Sequence, residues 1–186
     1  MKTESNVMYI LRLAATLLII TSLVAAALAG VNSITAPAIA KLTAEKTQEA
    51  IQAVLPGGGE EIDRNAVGFD GAELVSKVYQ GENGYAIEVT PGGFDNTITM
   101  MVGVDFEGKV LGISIIKHTE TAGLGAVAAA GTPAGESFRG QFVGTSGSVA
   151  VTKDGGAMDS ITGATITSRA ICDGVNAALA CAATLG

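Results

Sequence analysis

Asp159-Ser160-Ile161-Thr162-Gly163-Ala164-Thr165-Ile166-Thr167-Ser168 is a hydroxyl-rich turn that runs into a helix. The helix is legible from its spacing: Ile171, Val175 and Leu179 recur every four residues, with Cys172, Ala178 and Ala182 beside them. Thr167 or Ser168 is the expected N-cap, because a hydroxyl there accepts a first-turn N–H. A helix start also favours an anion through its free N–H groups and its dipole. The hydroxyl of Thr165 would sit where a phosphate is welcome. On physics alone, a Ser/Thr cluster ahead of a helix is more often only a cap.

Upstream lies a strand-rich region. Residues 73–80 alternate in character, Gly81-Glu82-Asn83-Gly84 reads as a hairpin turn, and residues 85–90 return as a strand. Pro91-Gly92-Gly93 breaks it. Residues 97–105 and 109–116 form a second hairpin around Glu107-Gly108. This predicts an antiparallel sheet with one face to cover. Residues 123–134 read as a loop or short helix, 138–142 as a helical turn with Phe138 and Phe142 in the core, and 148–152 as a short strand. The fold class is α+β, a small sheet with helices packed on it, after an N-terminal apolar helix.

That apolar helix is the other strong signal. Residues 13–40 carry no charge, and Leu13 to Val31 is about 19 strongly apolar residues, near the ~20 that span hydrocarbon. A cleaved signal peptide is the competing reading, with Lys2 and Arg12 ahead of the apolar run and Ala27-Leu28-Ala29 as the cleavage site. The run exceeds the ~7–15 residues of an ordinary signal core, so a retained anchor is preferred. Pro37 is expected to interrupt the chain, and Lys41 to Leu55 to form a helix with an Ile51/Val54/Leu55 stripe, stopped by Pro56-Gly57-Gly58-Gly59. The expected organisation is a cytoplasmic N-terminus at 1–12, a transmembrane helix at 13–31, a connector at 32–59 and an extracytoplasmic domain at 60–186.

Composition excludes several functions. The 186 residues carry a net charge of −7, which argues against a nucleic-acid partner. The one histidine, His118, has no Cys/His cluster around it, so no metal site is expected. Cys172 and Cys181 are nine residues apart on one helix, about 13 Å along its axis, and cannot bridge. There is no Cys-x-x-Cys pair, no dinucleotide fingerprint and no Gly-x-Ser-x-Gly elbow.

The order Asp159-x-x-Thr162-Gly163-Ala164-Thr165-x-x-Ser168 resembles the flavinylation motif of a family of FMN-binding domains. The family occurs in the G subunit of Rnf electron-transport complexes and the C subunit of sodium-translocating NADH:quinone oxidoreductases. Lys117-His118-Thr119-Glu120-Thr121-Ala122-Gly123-Leu124-Gly125 is similar to a second family segment, with Ala122 where proline is usual. Phe138-Arg139-Gly140-Gln141-Phe142 fits a third.

The resemblance implies FMN carried covalently on Thr165 through a phosphoester, with Thr162, Gly163, Ala164 and Thr167 around the attachment. His118, Glu120 and Thr121 would line the flavin. A flavin transferase would load it, consuming FAD with magnesium and releasing AMP, with Asp159 helping that enzyme recognise the segment. The chain would be an electron relay in a membrane complex that moves electrons between ferredoxin and NAD and pumps ions, with the other subunits as partners. The quinone-reductase C subunit is the nearest alternative. A cofactor-free, membrane-anchored sensor or adhesion module is the alternative from another class.

Overall fold

The computed structural model describes residues 2–62 and 72–185. Residues 63–71 and 186 of the expected 60–186 domain lie outside the described residues. The chain divides into two compact units, Met1–Ala44 and Glu45–Gly186.

Helix α1 runs over Lys2–Val54. From Asn6 it is long and apolar enough to cross a membrane, with a mean hydropathy of 2.3 in its most apolar stretch. Residues 6–44 are exposed all round. Thr16, Thr21, Ser33 and Thr35 each donate their hydroxyl to the carbonyl four residues earlier, at 2.7 to 3.0 Å. Polar groups satisfied in this way suit an apolar surrounding. Pro37 does not break the chain as expected; it lies inside α1. Its missing N–H leaves only the Ser33 carbonyl without its ladder partner, and alanines at 36, 38 and 40 favour continuation.

Among the described residues, the second unit is built on five strands: β1 Glu60–Ile62, β2 Val75–Gln80, β3 Gly84–Val89, β4 Thr99–Asp105 and β5 Val110–Lys117. They pair in sequence order, all antiparallel. β1 has no counterpart among the expected strands: three residues are too few to show alternation.

The sheet has two covered faces, not the one expected. Ile87, Val89, Met100 and Val102 face a core shared with α3, Thr165–Leu185, and with Phe138 and Phe142. Tyr79, Ala86 and Met101 face the other way, against Ala50, Ile51, Val54 and Leu55. Residues 45–54, expected in a connector, thus belong to the folded unit. The apolar run Met100-Met101-Val102-Gly103-Val104 is the signature of a strand buried on both faces. At Gly103 an added Cβ would collide with the backbone carbonyl of Val54.

The remaining elements shift slightly. A 3-10 turn occupies Gly125–Ala129, and α2 is Pro133–Gly140 with Thr132 as N-cap. Phe138 and Phe142 are buried edge-to-face at 5.6 Å, as core residues. The strand expected at 148–152 does not form. Its backbone is satisfied by a side chain instead: the Val149 N–H donates to Asn176 Oδ1 at 2.8 Å, and Asn176 Nδ2 donates to the Val149 carbonyl at 2.9 Å. Helix α3 begins at Thr165, three residues before Ser168, so neither Thr167 nor Ser168 is its N-cap. Both lie in its first turn, where their hydroxyls bond inward.

Candidate functional site

The start of α3 is held from three sides. Ser168 is fully buried; its hydroxyl donates to the Ala164 carbonyl and accepts from the Ile161 N–H, both at 3.0 Å. That closes the turn carrying Thr162, Gly163 and Ala164. Gly163 has φ +78°, and a Cβ there would also meet Leu124 Cδ2 at 2.9 Å. Only glycine adopts this conformation without strain. On the N-terminal side, Gln141 of the phenylalanine segment grips the backbone of Asp159. The Asp159 N–H donates to Gln141 Oε1 at 2.7 Å, and Gln141 Nε2 donates back to the Asp159 carbonyl at 3.3 Å. The Asp159 side chain is exposed.

The third tie is Glu120, on the segment leaving β5. Its carboxylate is 7% exposed. It accepts from the Thr167 hydroxyl at 2.5 Å, from the Phe94 N–H at 2.9 Å and, at a longer 3.4 Å, from the Asp95 N–H. Glu120 therefore joins the loop after β3 to the first turn of α3.

Between these ties opens a cavity of about 290 Å³. Phe94, Leu124 and Ile166 give it apolar walls, Glu120 and Thr121 a polar side, and Gly163, Ala164 and Thr165 its floor. Lys153 also lines it. The Lys153 ammonium donates to Thr165 Oγ1 at 3.0 Å. Its neighbour Asp154 binds Arg169 of α3 through two bonds, of 2.6 and 2.7 Å. Those hydrogen bonds hold the Asp154 carboxyl below the ordinary carboxylate range and push the Arg169 guanidinium up.

Of the expected site residues, Glu120, Thr121, Gly163, Ala164, Thr165 and Thr167 line this cavity. Thr162 is exposed and outside its lining. His118 lines a separate crevice behind Glu120, with Ile98 and Ile171. His118 Nδ1 is buried there with no hydrogen-bond partner among the described residues.

Residues 93–180 match the family model of the FMN-binding domain. The G subunit of an ion-translocating oxidoreductase complex from Methanosarcina acetivorans is 34% identical over 175 residues, 88% of this chain and 89% of that protein. The G subunit of a Na(+)-translocating ferredoxin:NAD(+) oxidoreductase complex from Acetobacterium woodii is 30% identical over 194 residues, 94% of this chain and 92% of its own. A G subunit from Yersinia pestis is 36% identical over 165 residues, covering 80% of this chain and 79% of that one.

The chain belongs to the family of G subunits of ion-translocating oxidoreductase complexes.

The residues present fit what an FMN-binding domain of that family must hold. A flavin needs an apolar slot for its ring, which Phe94, Leu124 and Ile166 supply while remaining substantially exposed at 67%, 41% and 48%. Its phosphate needs a cation and donors. Lys153 and the first N–H groups of α3, which have no partner inside the helix, lie beside Thr165 and would be in place for that. Phe94, Leu124, Ile166 and Lys153 are absent from the site residues expected from the sequence. Leu124 lies within a family-like segment, and Ile166 within the motif itself. Lys153 has no local signal, since its role depends on a turn folding back onto α3. The two thiols take no part: both are buried, and burial pushes the Cys172 thiol up to about 11.

Proposed function

We propose that the folded unit carries FMN esterified through its phosphate to Thr165. The chain then serves as a membrane-anchored electron-relay subunit of a ferredoxin:NAD oxidoreductase complex that translocates ions. One observation carries the assignment to Thr165. Thr165 and Thr167 are the hydroxyl residues of the motif that line the cavity, and Thr167 is 2% exposed with its hydroxyl committed to Glu120. Ser168 is fully buried, and Thr162 lies outside the lining. Thr165 alone joins a partly open side chain to a place in the cavity. The expectation that the acceptor sits on a turn is refined: it is the first residue of the helix, with Gly163 leaving its approach open.

Bound FMN supplies one- and two-electron redox chemistry. The chain's residues bind and orient. Phe94, Leu124 and Ile166 exclude water from the ring. Glu120 fixes the distance between the Phe94 loop and α3, and Thr121 faces the same space. His118, placed behind Glu120, acts through the position of that carboxylate rather than by touching the ring. A flavin transferase loads the site from FAD with magnesium, and the exposed Asp159 is a recognition point for it. The apolar part of α1 spans the membrane, with the N-terminus cytoplasmic and the flavin unit outside. The named relatives are G subunits, which favours this reading over a quinone-reductase C subunit.

Peptide mass spectrometry after coexpression with the transferase tests the attachment. Wild type is expected to show an FMN adduct on the peptide containing Thr165, and Thr165→Val none. An adduct persisting in that variant overturns the assignment. For topology, Ser33→Cys is expected to label from the extracytoplasmic side; labelling from the cytoplasm alone would reverse the orientation.

A further inference from the structure

The turn that carries Lys153 has more holding it than a surface turn needs. Val151, just before it, is buried at 1% exposure and forms an isolated parallel bridge with Met158. The Thr152 N–H donates to the Met158 carbonyl at 2.8 Å. Residues Thr152–Asp154 then make a 3-10 turn, closed by Gly155 at φ 85°. Asp154 reaches Arg169, one helical turn beyond Thr165, through the paired bonds described above. An exposed ion pair adds little stability. A two-point Arg–carboxylate pair does fix geometry. Here it registers the turn against the first two turns of α3.

This registration has an electrostatic result. Asp154 lies next to Lys153 in sequence and would be its natural counter-ion. Its carboxylate is instead occupied by Arg169. Among the described residues, no ion pair involves Lys153. In a chain of net charge −7, a positive side chain with no direct ion-pair contact among the described residues thus lines the cavity, its ammonium 3.0 Å from Thr165 Oγ1, and Asp154 acts on it only through space.

We propose that Lys153 is the phosphate-binding cation of this site, the counter-charge of the phosphodiester formed on Thr165. The inference rests on the reading that Thr165 carries FMN. In the loading step, Thr165 Oγ1 bonds to the phosphorus of the FMN half of FAD. The bond from that phosphorus to the AMP oxygen breaks, AMP leaves with that oxygen, and the hydroxyl proton passes to solvent. One negative charge then remains on the phosphodiester. Lys153 already stands on the oxygen that becomes its bridging atom. No backbone movement is needed to bring charge and counter-charge together, and the Asp154–Arg169 pair keeps Lys153 from being drawn off.

The test uses the full chain coexpressed with a flavin transferase, with FAD and magnesium supplied. Wild type, Lys153→Met, Lys153→Arg and Asp154→Asn are compared by intact mass over time and by the phosphorus-31 spectrum of the loaded protein. Circular dichroism confirms the fold of each. Lys153→Met is expected to load roughly tenfold more slowly, the size of one charge-assisted hydrogen bond. Its phosphodiester resonance should move from the wild-type position. Lys153→Arg is expected to recover most of the rate and the resonance. Asp154→Asn is expected to fall between wild type and Lys153→Met. A resonance unmoved in Lys153→Met overturns the inference whatever the rate, since slow loading alone would mark a residue that only the transferase reads. Loss of loading that Lys153→Arg does not restore overturns it as well. If wild type shows no adduct on Thr165, the underlying reading fails. If wild type is loaded there and all variants behave alike, only the role of Lys153 fails.

Discussion

The apolar part of α1 and the whole of α3 draw on nearly the same residues, alanine mixed with leucine, isoleucine and valine. Leu23 and Ile34 of α1 are 73% and 77% exposed, whereas Ile171 and Val175 of α3 are fully buried. The difference lies in where the polar residues fall. In α3, the polar Arg169, Asp173 and Thr184 fall on one exposed stripe with Ala180 and Ala183, and its buried faces join the core on the sheet. Between residues 13 and 40, α1 has no charge on any side. A helix apolar all round has no direction in which to turn toward water. The folded unit completes its core with α3 and the last turns of α1, while residues 6–44 of α1 are exposed all round.

The sharpest way to break this contrast is to remove one helix. A chain starting at Glu45 is expected to leave the membrane fraction entirely while keeping the circular dichroism of the folded unit. A truncated protein that still sediments with membranes would show that the folded unit has an apolar surface of its own. Matched substitutions come next. Ile171→Ala is expected to cost about 2–5 kcal/mol in urea unfolding, through lost burial and the cavity left behind. Ile19→Ala should leave the same transition unmoved; equal losses would erase the distinction between the helices.

Smaller effects arise where α3 begins. Gly163→Ala should cost about 1–3 kcal/mol, because the residue must keep a left-handed backbone and its methyl would press on Leu124. Flavin loading should fall with it, while Gly140→Ala, with open space around it, should do neither. The smallest effect is electrostatic. The Arg169 bonds lower the Asp154 pKa from 3.8, so the folded state binds that proton less readily than the unfolded state. The contribution of the pair is complete above that value and is lost as pH falls through the lowered pKa. Unfolding curves of wild type and Asp154→Asn should therefore differ at neutral pH and converge in acid. A gap that persists in strong acid, below the lowered pKa, would assign the effect to packing.

The same contrast explains what is legible in the sequence. The spacing of Ile171, Val175 and Leu179 names the buried face of α3 because its period repeats over several turns. The hairpins around Asn83-Gly84 and Glu107-Gly108 are legible because turn residues interrupt apolar runs. The second buried face of the sheet is harder to read, although Met100–Val104 is continuously apolar, because its cover comes from the end of a helix that looks like a connector. The start of α3 lies three residues earlier than the hydroxyl pattern suggests: such groups mark caps, and here Thr167 and Ser168 spend theirs inside the first turn. The motif points to Thr165. The Lys153 contact depends on a fold-back held by Asp154 and Arg169, which no local pattern records.

One consequence of the cavity's construction concerns timing during synthesis. Its wall comes from Phe94, its polar side from Glu120, its cation from Lys153 and its floor from residues 163–167. The helix that brings the floor into place is the final described element, ending at Leu185, and the Tyr85 hydroxyl fastens that end by donating to the Leu185 carbonyl at 3.2 Å. Until α3 has been made and has left the ribosome it cannot dock, and the cavity has no floor. A transferase that requires the finished cavity would meet its substrate only after α3 has docked. Attachment of the cofactor would then report that the polypeptide had been made through α3 and had folded.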